Sequence, residues 1–399
     1  MTDQLNGGTD AADDHALFDA LRKQVARAIG GQPFWAERLA GINPEMLQNR
    51  DALGSVPVLR KSDLAALQAQ TPPFGGLTAT PAGDLARLFM SPGPIFDPEG
   101  HGRDWWGGAL ALAAAGVEKG DIALNTFSYH LTPAGAMFET AAHALGCAVI
   151  PAGPGNTADQ LVAIGQFRPT VYVGTPDFLK ILLDKAAEAE IDTNSFRCAI
   201  VSGAALPPSL RADLQGRGLK VVQCYGTADL GIVAYEDGGE GMAVNDGVIL
   251  EIVRPGTGEP LPDGDVGEIV VTRLNRDYPL IRFATGDMSR TLPAGADKRR
   301  RIAGWMGRAD QATKVKGMFV RPEQIAVLRK RLGVDGALRL VVTRHAEQDS
   351  MVLKIEHHDA QLAGEASDKL MEITKLKGQV EIVPPGSLPK DGKVISDER

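Results

Sequence analysis

Between Asp277 and Ile325 the chain carries two short strings of residues with chemistry to offer. The first is Arg282-Phe283-Ala284-Thr285-Gly286-Asp287. The second is Gly307-Arg308-Ala309-Asp310, followed by Lys314, Lys316-Gly317 and Pro322-Glu323. A carboxylate held just after a glycine turn, as at Asp287, can accept hydrogen bonds from two hydroxyls of a sugar. A guanidinium beside a glycine, as at Arg308, presents a planar fork that suits phosphate or ribose. Either string by itself also reads as an ordinary turn or strand end. Three further stretches follow short apolar runs: Tyr129 and His130 in 127–135, Ser202-Gly203-Ala204 in 201–207, and Cys224-Tyr225-Gly226-Thr227-Ala228-Asp229 in 223–231.

Those apolar runs read as the elements that position the chemistry. Segments 122–127, 147–151, 171–174, 198–202 and 221–224 are strand-like and alternate with helical stretches up to Leu145 and over 178–189. Such alternation predicts an α/β fold with largely parallel pairing. Its sites belong at the carboxyl ends of the strands, where all three loops lie. Residues 247–272 alternate strands with Pro/Gly turns and read as a β-rich subdomain. Beyond Asp310, strands near Phe319 and at 339–343, 351–356 and 380–383, with helices at 323–332 and 360–374, predict a smaller α+β unit. Nearer the N-terminus, 1–14 is small, polar and acidic and reads as disordered. Leu17, Leu21, Val25 and Ile29 recur at helical spacing. Ser62 is placed to cap a helix beginning there, and 104–117 reads as an Ala-rich helix.

Composition narrows the function. The chain has 399 residues, 44% hydrophobic and 23% charged, with a formal net charge of −8. An acidic chain with few clustered basic residues argues against nucleic acid as the main partner. The one basic run, Lys298-Arg299-Arg300-Arg301, reads as a solvated loop or as a landing site for an anion such as coenzyme A. Cys147, Cys198 and Cys224 lie far apart in apolar segments without metal spacing, which fits a reducing cytoplasm. Residues 140–158 carry no formal charge, but Gly and Pro punctuate them. They read as a helix, a turn and a buried strand, so no membrane span is expected.

Taken together, in this order and spacing, the strings resemble the adenylate-forming superfamily of acyl-CoA synthetases, adenylation domains and luciferases. Residues 56–64, 247–272 and the terminal Pro384-Pro385-Gly386-Ser387-Leu388-Pro389-Lys390-Asp391-Gly392-Lys393 resemble phenylacetate–CoA ligases in particular. The resemblance implies a large N-terminal domain, 1–308, with mixed β-sheets flanked by helices plus a β-rich subdomain. A small mobile α+β C-terminal domain, 309–399, follows. It implies that Asp287 grips the ATP ribose with Arg308 beside it, that Asp310 is the hinge, and that Lys393 enters the site for catalysis. Adenine would pack on the turn Ser202, Gly203 and Ala204 and stack on Tyr225, with Cys224, Gly226 and Thr227 around the nucleotide and Asp229 helping to hold Mg2+. Tyr129, His130 and Ala134 would line the acyl pocket, although His130 reads equally as an exposed loop histidine. ATP/AMP, Mg2+ and coenzyme A are the implied cofactors and a carboxylic acid, aromatic or not, the substrate. Monomer and homodimer both stay open.

The departure from the pattern is greatest at Ser91-Pro92-Gly93-Pro94-Ile95-Phe96-Asp97-Pro98, where the superfamily carries its phosphate loop, Ser-Ser-Gly-Thr-Thr-Gly-Lys-Pro. Three prolines remove three N–H donors, the lysine and both threonines are gone, and Asp97 adds negative charge where phosphate would sit. Two functions therefore remain: an AMP-forming acyl- or aryl-CoA ligase, and a nucleotide- or acyl-CoA-binding homologue with lost or altered ATP activation.

Overall fold

Five apolar runs stand side by side as parallel strands, in the order Ala148–Pro151, Ile122–Asn125, Val171–Gly174, Cys198–Val201 and Lys220–Thr227. The last turns antiparallel into Gly231–Tyr235, and Met242–Val244, Arg301–Ile302 and Thr291–Leu292 complete a nine-stranded sheet. This is a computed structural model, and it describes residues 11–91, 93–204, 206–295, 298–309, 313–316, 318–320, 322–345, 348–389 and 394–399. The chain divides into two compact units, Met1–Thr285 with Ser289–Trp305, and Gly286–Met288 with Met306–Arg399.

In the first unit, Val171–Gly174 and Cys198–Val201 are buried at every position, as strands covered on both faces must be. Ala148–Pro151 has no buried residue. It is the edge of the sheet, not the buried strand its letters suggest. From Ile122–Asn125 the chain runs out to that edge through helix Ala134–Leu145, then crosses back to Val171–Gly174. The winding direction reverses between Ile122–Asn125 and Val171–Gly174, so a crevice opens at their carboxyl ends. The helix expected over 104–117 is confined to Ala109–Ala114. The Asp104 carboxylate accepts from the N–H groups of Gly108 (2.8 Å) and Ala109 (2.9 Å), which starts the helix late.

A second, four-stranded sheet orders Leu59–Arg60, Phe283–Ser289, Gly267–Arg273 and Val248–Val253. Ser62 does not cap a helix. It lies inside the short turn Lys61–Asp63, and the helix Leu64–Gln70 has no side-chain cap. The N-terminal helix begins at Ala11, inside the stretch read as disordered. Nor is the basic run a solvated loop. Arg301 is 4% exposed and forks onto Asp237 with two 2.8 Å bonds, and Arg299 pairs with Asp246 at 2.7 Å.

In the second unit, Gln379–Val383, Gln348–Glu356, Leu338–His345 and Ile395–Asp397 form a four-stranded sheet. Helix Leu362–Thr374 contributes Ala366 and Leu370, and Pro322–Leu332 contributes Ile325 and Leu328, to its core. The short strand Ile395–Asp397 was not foreseen. It lies parallel to Leu338–His345, with Ile395 4% exposed. Among the described residues no helix is long and apolar enough to cross a membrane.

Candidate functional site

The crevice is built by side chains that tie one strand end to the next. Asn125 ends the strand Ile122–Asn125, and its buried amide donates to Tyr129 OH and to Gly135 O, both at 2.8 Å. One residue thus clamps the loop 126–135. Thr126 Oγ1 lies 3.1 Å from Val173 O and 2.9 Å from Tyr172 OH, which donates to Thr175 O. Residue 174 must be glycine here, because a Cβ would collide with Thr126 Oγ1. Ser202 Oγ donates to Cys224 O at 2.8 Å. Gly203 takes a φ of 74°, and a Cβ on it would lie 3.6 Å from Phe127 and 3.9 Å from Thr175. The loops leaving four successive parallel strands therefore meet at one place.

The first unit's predicted nucleotide and acyl residues lie in or beside these loops. Gly203 is exposed and Ala204 half-buried, while Ala205 lies outside the described residues. Tyr225 is 7% exposed, with its hydroxyl 3.4 Å from Thr285 Oγ1. Gly226 is pressed close enough that a Cβ would lie 2.6 Å from Gly231 O. Thr227 Oγ1 accepts from Leu230 N at 3.2 Å and so fixes the turn that carries Asp229. On the acyl side, Phe127 stacks on Phe138 with centroids 5.0 Å apart. Tyr129 is half-buried, and burial, then the Glu139 carboxylate, push its phenol well above the usual range. His130 is exposed, and Ala134 opens helix Ala134–Leu145.

Asp229 is buried, 1% exposed, and pairs with Lys61 at 2.5 Å. Lys61 is brought there by Leu59–Arg60, which lies parallel to Phe283–Ser289. Asp97 is in the same electrostatic neighbourhood and is fully buried. The divergent phosphate loop is a hairpin, Arg87–Ser91 against Ile95–Glu99, and Gln68 grips it by both the N–H and the C=O of Phe96. Burial, reinforced by the Asp229 carboxylate, pushes Asp97 up to about 8. The negative charge expected on this loop is thus a buried carboxyl group that tends to keep its proton. Both oxygens of Asp97, Oδ1 of Asp229 and the hydroxyl of Tyr278 are buried with no protein hydrogen-bond partner. Three carboxylate oxygens and a phenol oxygen without partners suit a hard, oxygen-seeking cation such as Mg2+. Among the described residues no group of three or more His, Cys, Asp or Glu gathers for a metal, so a cation would rest on two carboxylates here.

In the second unit, Asp287 and Arg308 face each other across an antiparallel bridge, and Arg308 Nη1 donates to Asp287 Oδ1 at 3.3 Å. Gly286, with φ 77°, leaves room for that guanidinium, since a Cβ there would lie 2.7 Å from Arg308 Nη2. Asp310 and Lys393 lie outside the described residues. Reasoning from the sequence overlooked Asn125, Lys61 as the partner of Asp229, and Tyr278. Only Lys61 carried a local signal, through the likeness of 56–64 to phenylacetate–CoA ligases.

Comparison with known proteins settles the lineage. Residues 107–275 match the family described as AMP-binding enzyme. A phenylacetate-coenzyme A ligase of Pseudomonas putida is 31% identical over 336 residues, covering 79% of this chain and 75% of that protein. The chain belongs to the phenylacetate–CoA ligase family. A second member, from Aromatoleum evansii, is 29% identical over 85% of this chain and 80% of its own length. A solved 2-hydroxyisobutyryl-CoA ligase, bound to 2-HIB-AMP and CoA, shares the fold with a TM-score of 0.76. It is 23% identical and covers 100% of this chain and 92% of its own. The α/β class and the superfamily read from the motifs are both borne out. As a member of this family, the protein is an AMP-forming acyl-CoA ligase that uses ATP/AMP, a carboxylic acid and coenzyme A.

Proposed function

We propose that the acid is aromatic, that the reaction runs in the cytoplasm, and that residues 1–308 bind nucleotide and acid while 309–399 swing to bring Lys393 in and out. A carboxylate resists nucleophiles because of its charge. Its oxygen first attacks the α-phosphorus of ATP, and the bond to pyrophosphate breaks. The coenzyme A sulfur then attacks the acyl carbon, the bond to AMP breaks, and the thiol proton passes to solvent. Ser202, Gly203, Ala204, Cys224, Tyr225, Gly226 and Thr227 hold the nucleotide base and α-phosphate. Asp287, oriented by Arg308, accepts from the ribose hydroxyls. Lys393 offsets charge developing at the α-phosphate, a preorganised electrostatic effect. Rotation about Asp310 withdraws it and admits the thiol. Asp229, with Asp97, would hold Mg2+, which when bound screens the phosphate charge.

The meeting of the four strand-end loops, with Ser202 bonded to Cys224 and Gly203 against Phe127, carries this reading. The stacked Phe127–Phe138 pair and the phenylacetate relatives support an aromatic acid. The deciding assay is pyrophosphate release against a panel of aromatic and aliphatic acids, with and without coenzyme A. Aromatic acids are expected to drive it, and Lys393→Ala to cut it by roughly a hundredfold or more while sparing thioester formation from supplied acyl-AMP. Equal loss of both half-reactions would remove Lys393 from its role. AMP binding without pyrophosphate release from any acid would instead favour a homologue that has lost activation.

A further inference from the structure

A cavity of about 670 Å³ opens in the first unit, and none of the nucleotide or acyl residues above lines it. Its walls include Leu17 of the N-terminal helix, Val248 and Leu274, and its rim carries Arg50, Arg300, Asp14 and Asp263. Side chains alternate along a strand. With Arg301 turned onto Asp237, Arg300 faces the other way, into the cavity. Arg300 is poorly served there. Its Nε is buried with no hydrogen-bond partner, and among the described residues its one carboxylate contact is 3.4 Å to Asp263, whose side chain is 79% exposed. Arg50 spends one N–H on Leu250 O (3.2 Å) and one on Asp14 (3.1 Å). A guanidinium has five donors in a fork that matches a carboxylate. Burial, then the neighbouring Arg50, lower the Arg300 guanidinium from its usual value, and an incoming anion would offset the repulsion between the two arginines.

We propose that this cavity is a second ligand site, separate from the catalytic crevice, that takes an amphipathic monocarboxylate: its head between Arg300 and Arg50, its apolar body against Leu17, Val248 and Leu274. The volume falls in the range of small-molecule pockets and exceeds what a bare inorganic anion needs. Three basic side chains, Arg50, Lys298 and Arg300, and three acidic ones, Asp14, Asp246 and Asp263, line the cavity, so its own charge is near zero and a single negative charge is tolerated better than the double charge of a phosphate monoester. The inference does not depend on which acid the enzyme activates.

The test uses the full chain and 6-bromohexanoate, followed by calorimetry and by anomalous scattering from bromine in soaked crystals. Bromine is expected in the cavity. Arg300→Gln should weaken binding about tenfold or more, whereas Asp263→Asn, which removes a competing exposed charge, should tighten it by roughly twofold to fivefold. The uncharged 6-bromohexan-1-ol should not bind. Bromine found only in the crevice near Gly203, or binding unchanged in Arg300→Gln, would overturn the site. Tighter binding of hexyl phosphate than of hexanoate would overturn the monocarboxylate assignment. Should Arg300→Gln fail to fold, the Asp263→Asn variant decides alone, since no tightening there contradicts the proposal.

Discussion

Two clusters of buried charge lie in the first unit, and they are built to opposite rules. Arg282 is 2% exposed and bonded at every nitrogen. Its Nε reaches both oxygens of Glu251 (3.1 and 3.0 Å), Nη2 reaches Glu251 Oε1 (2.8 Å) and Gly258 O (2.7 Å), and Nη1 reaches Val56 O (2.7 Å). In the Lys61, Asp97 and Asp229 cluster the two acids are as deeply placed and the lysine is partly exposed, but the ion pair satisfies one oxygen and leaves three carboxylate oxygens without a protein partner. Buried polar groups are costly unless they are hydrogen-bonded. The first cluster meets that requirement from within and serves the fold. The second does not, which marks it as a place where something from outside completes the set. The contrast divides one sequence motif: in Arg282-Phe283-Ala284-Thr285-Gly286-Asp287 the arginine is spent on the first unit's core, and the acid five positions on pairs with Arg308 in the second unit.

The most damaging way to probe this contrast is Arg282→Met. It leaves Glu251 charged and buried, with Val56 O and Gly258 O unpaired as well. Breaking a buried pair from one side costs roughly 3–5 kcal/mol, to be read as a fall in the urea midpoint. Arg282→Met with Glu251→Leu should recover a large part of that loss, because no lone charge remains. If the double variant is no better than the single one, the Arg282 bonds to the two carbonyls, not the ion pair, hold this corner.

The same contrast explains what could be read before any coordinates. The strands at 171–174 and 198–201 were legible because continuous apolar runs between glycine and proline have few other uses in an α/β fold. The run at 148–151 has similar letters yet lies half-exposed, since an edge strand and a central one differ in their neighbours and not in their residues. Asp97 reads from sequence as a negative charge where phosphate would sit, because the groups that define its buried setting, Lys61 and Asp229, lie far away in sequence. The basic run at 298–301 misled for the same reason. Asp237 and Asp246, which take up Arg301 and Arg299, lie in loops more than fifty residues earlier in the chain. Motif likeness singles out Ser202, Tyr225 and Asp287 as candidates. It had no means of finding Asn125, a single buried amide whose role is to clamp a loop.

A more selective experiment replaces Asp97 with asparagine. The side chain keeps its shape and loses its charge, so the stability cost should stay within about 1 kcal/mol or reverse sign, because an unpaired buried carboxyl group is removed. The sharper readout is cation binding. If Asp97 and Asp229 together hold Mg2+, a rise in melting temperature with millimolar Mg2+ should appear in the parent protein and be largely lost in Asp97→Asn. A cation that binds only the folded form stabilises it by mass action, about 2.7 kcal/mol at a hundred times its Kd. An undiminished Mg2+ effect in Asp97→Asn would show that these oxygens are not the donors, and the second cluster would then need another explanation for its unpaired atoms.

The mildest change tests whether one neutral bond belongs with the satisfied cluster or with the site. Ser202 Oγ donates to Cys224 O at 2.8 Å and ties two strand ends together just where Gly203 turns at φ 74°. Ser202→Ala removes one neutral hydrogen bond, worth about 1 kcal/mol. It also frees the Cys224 carbonyl and the turn beside it. If the bond positions the nucleotide loop, AMP affinity should fall by roughly threefold to tenfold in step with that energy, since 1.4 kcal/mol corresponds to a factor of ten. If it serves the sheet alone, stability falls and AMP binding does not. The first outcome is expected, because the turn after residue 202 is the part of the strand end that reaches Phe127 and Thr175.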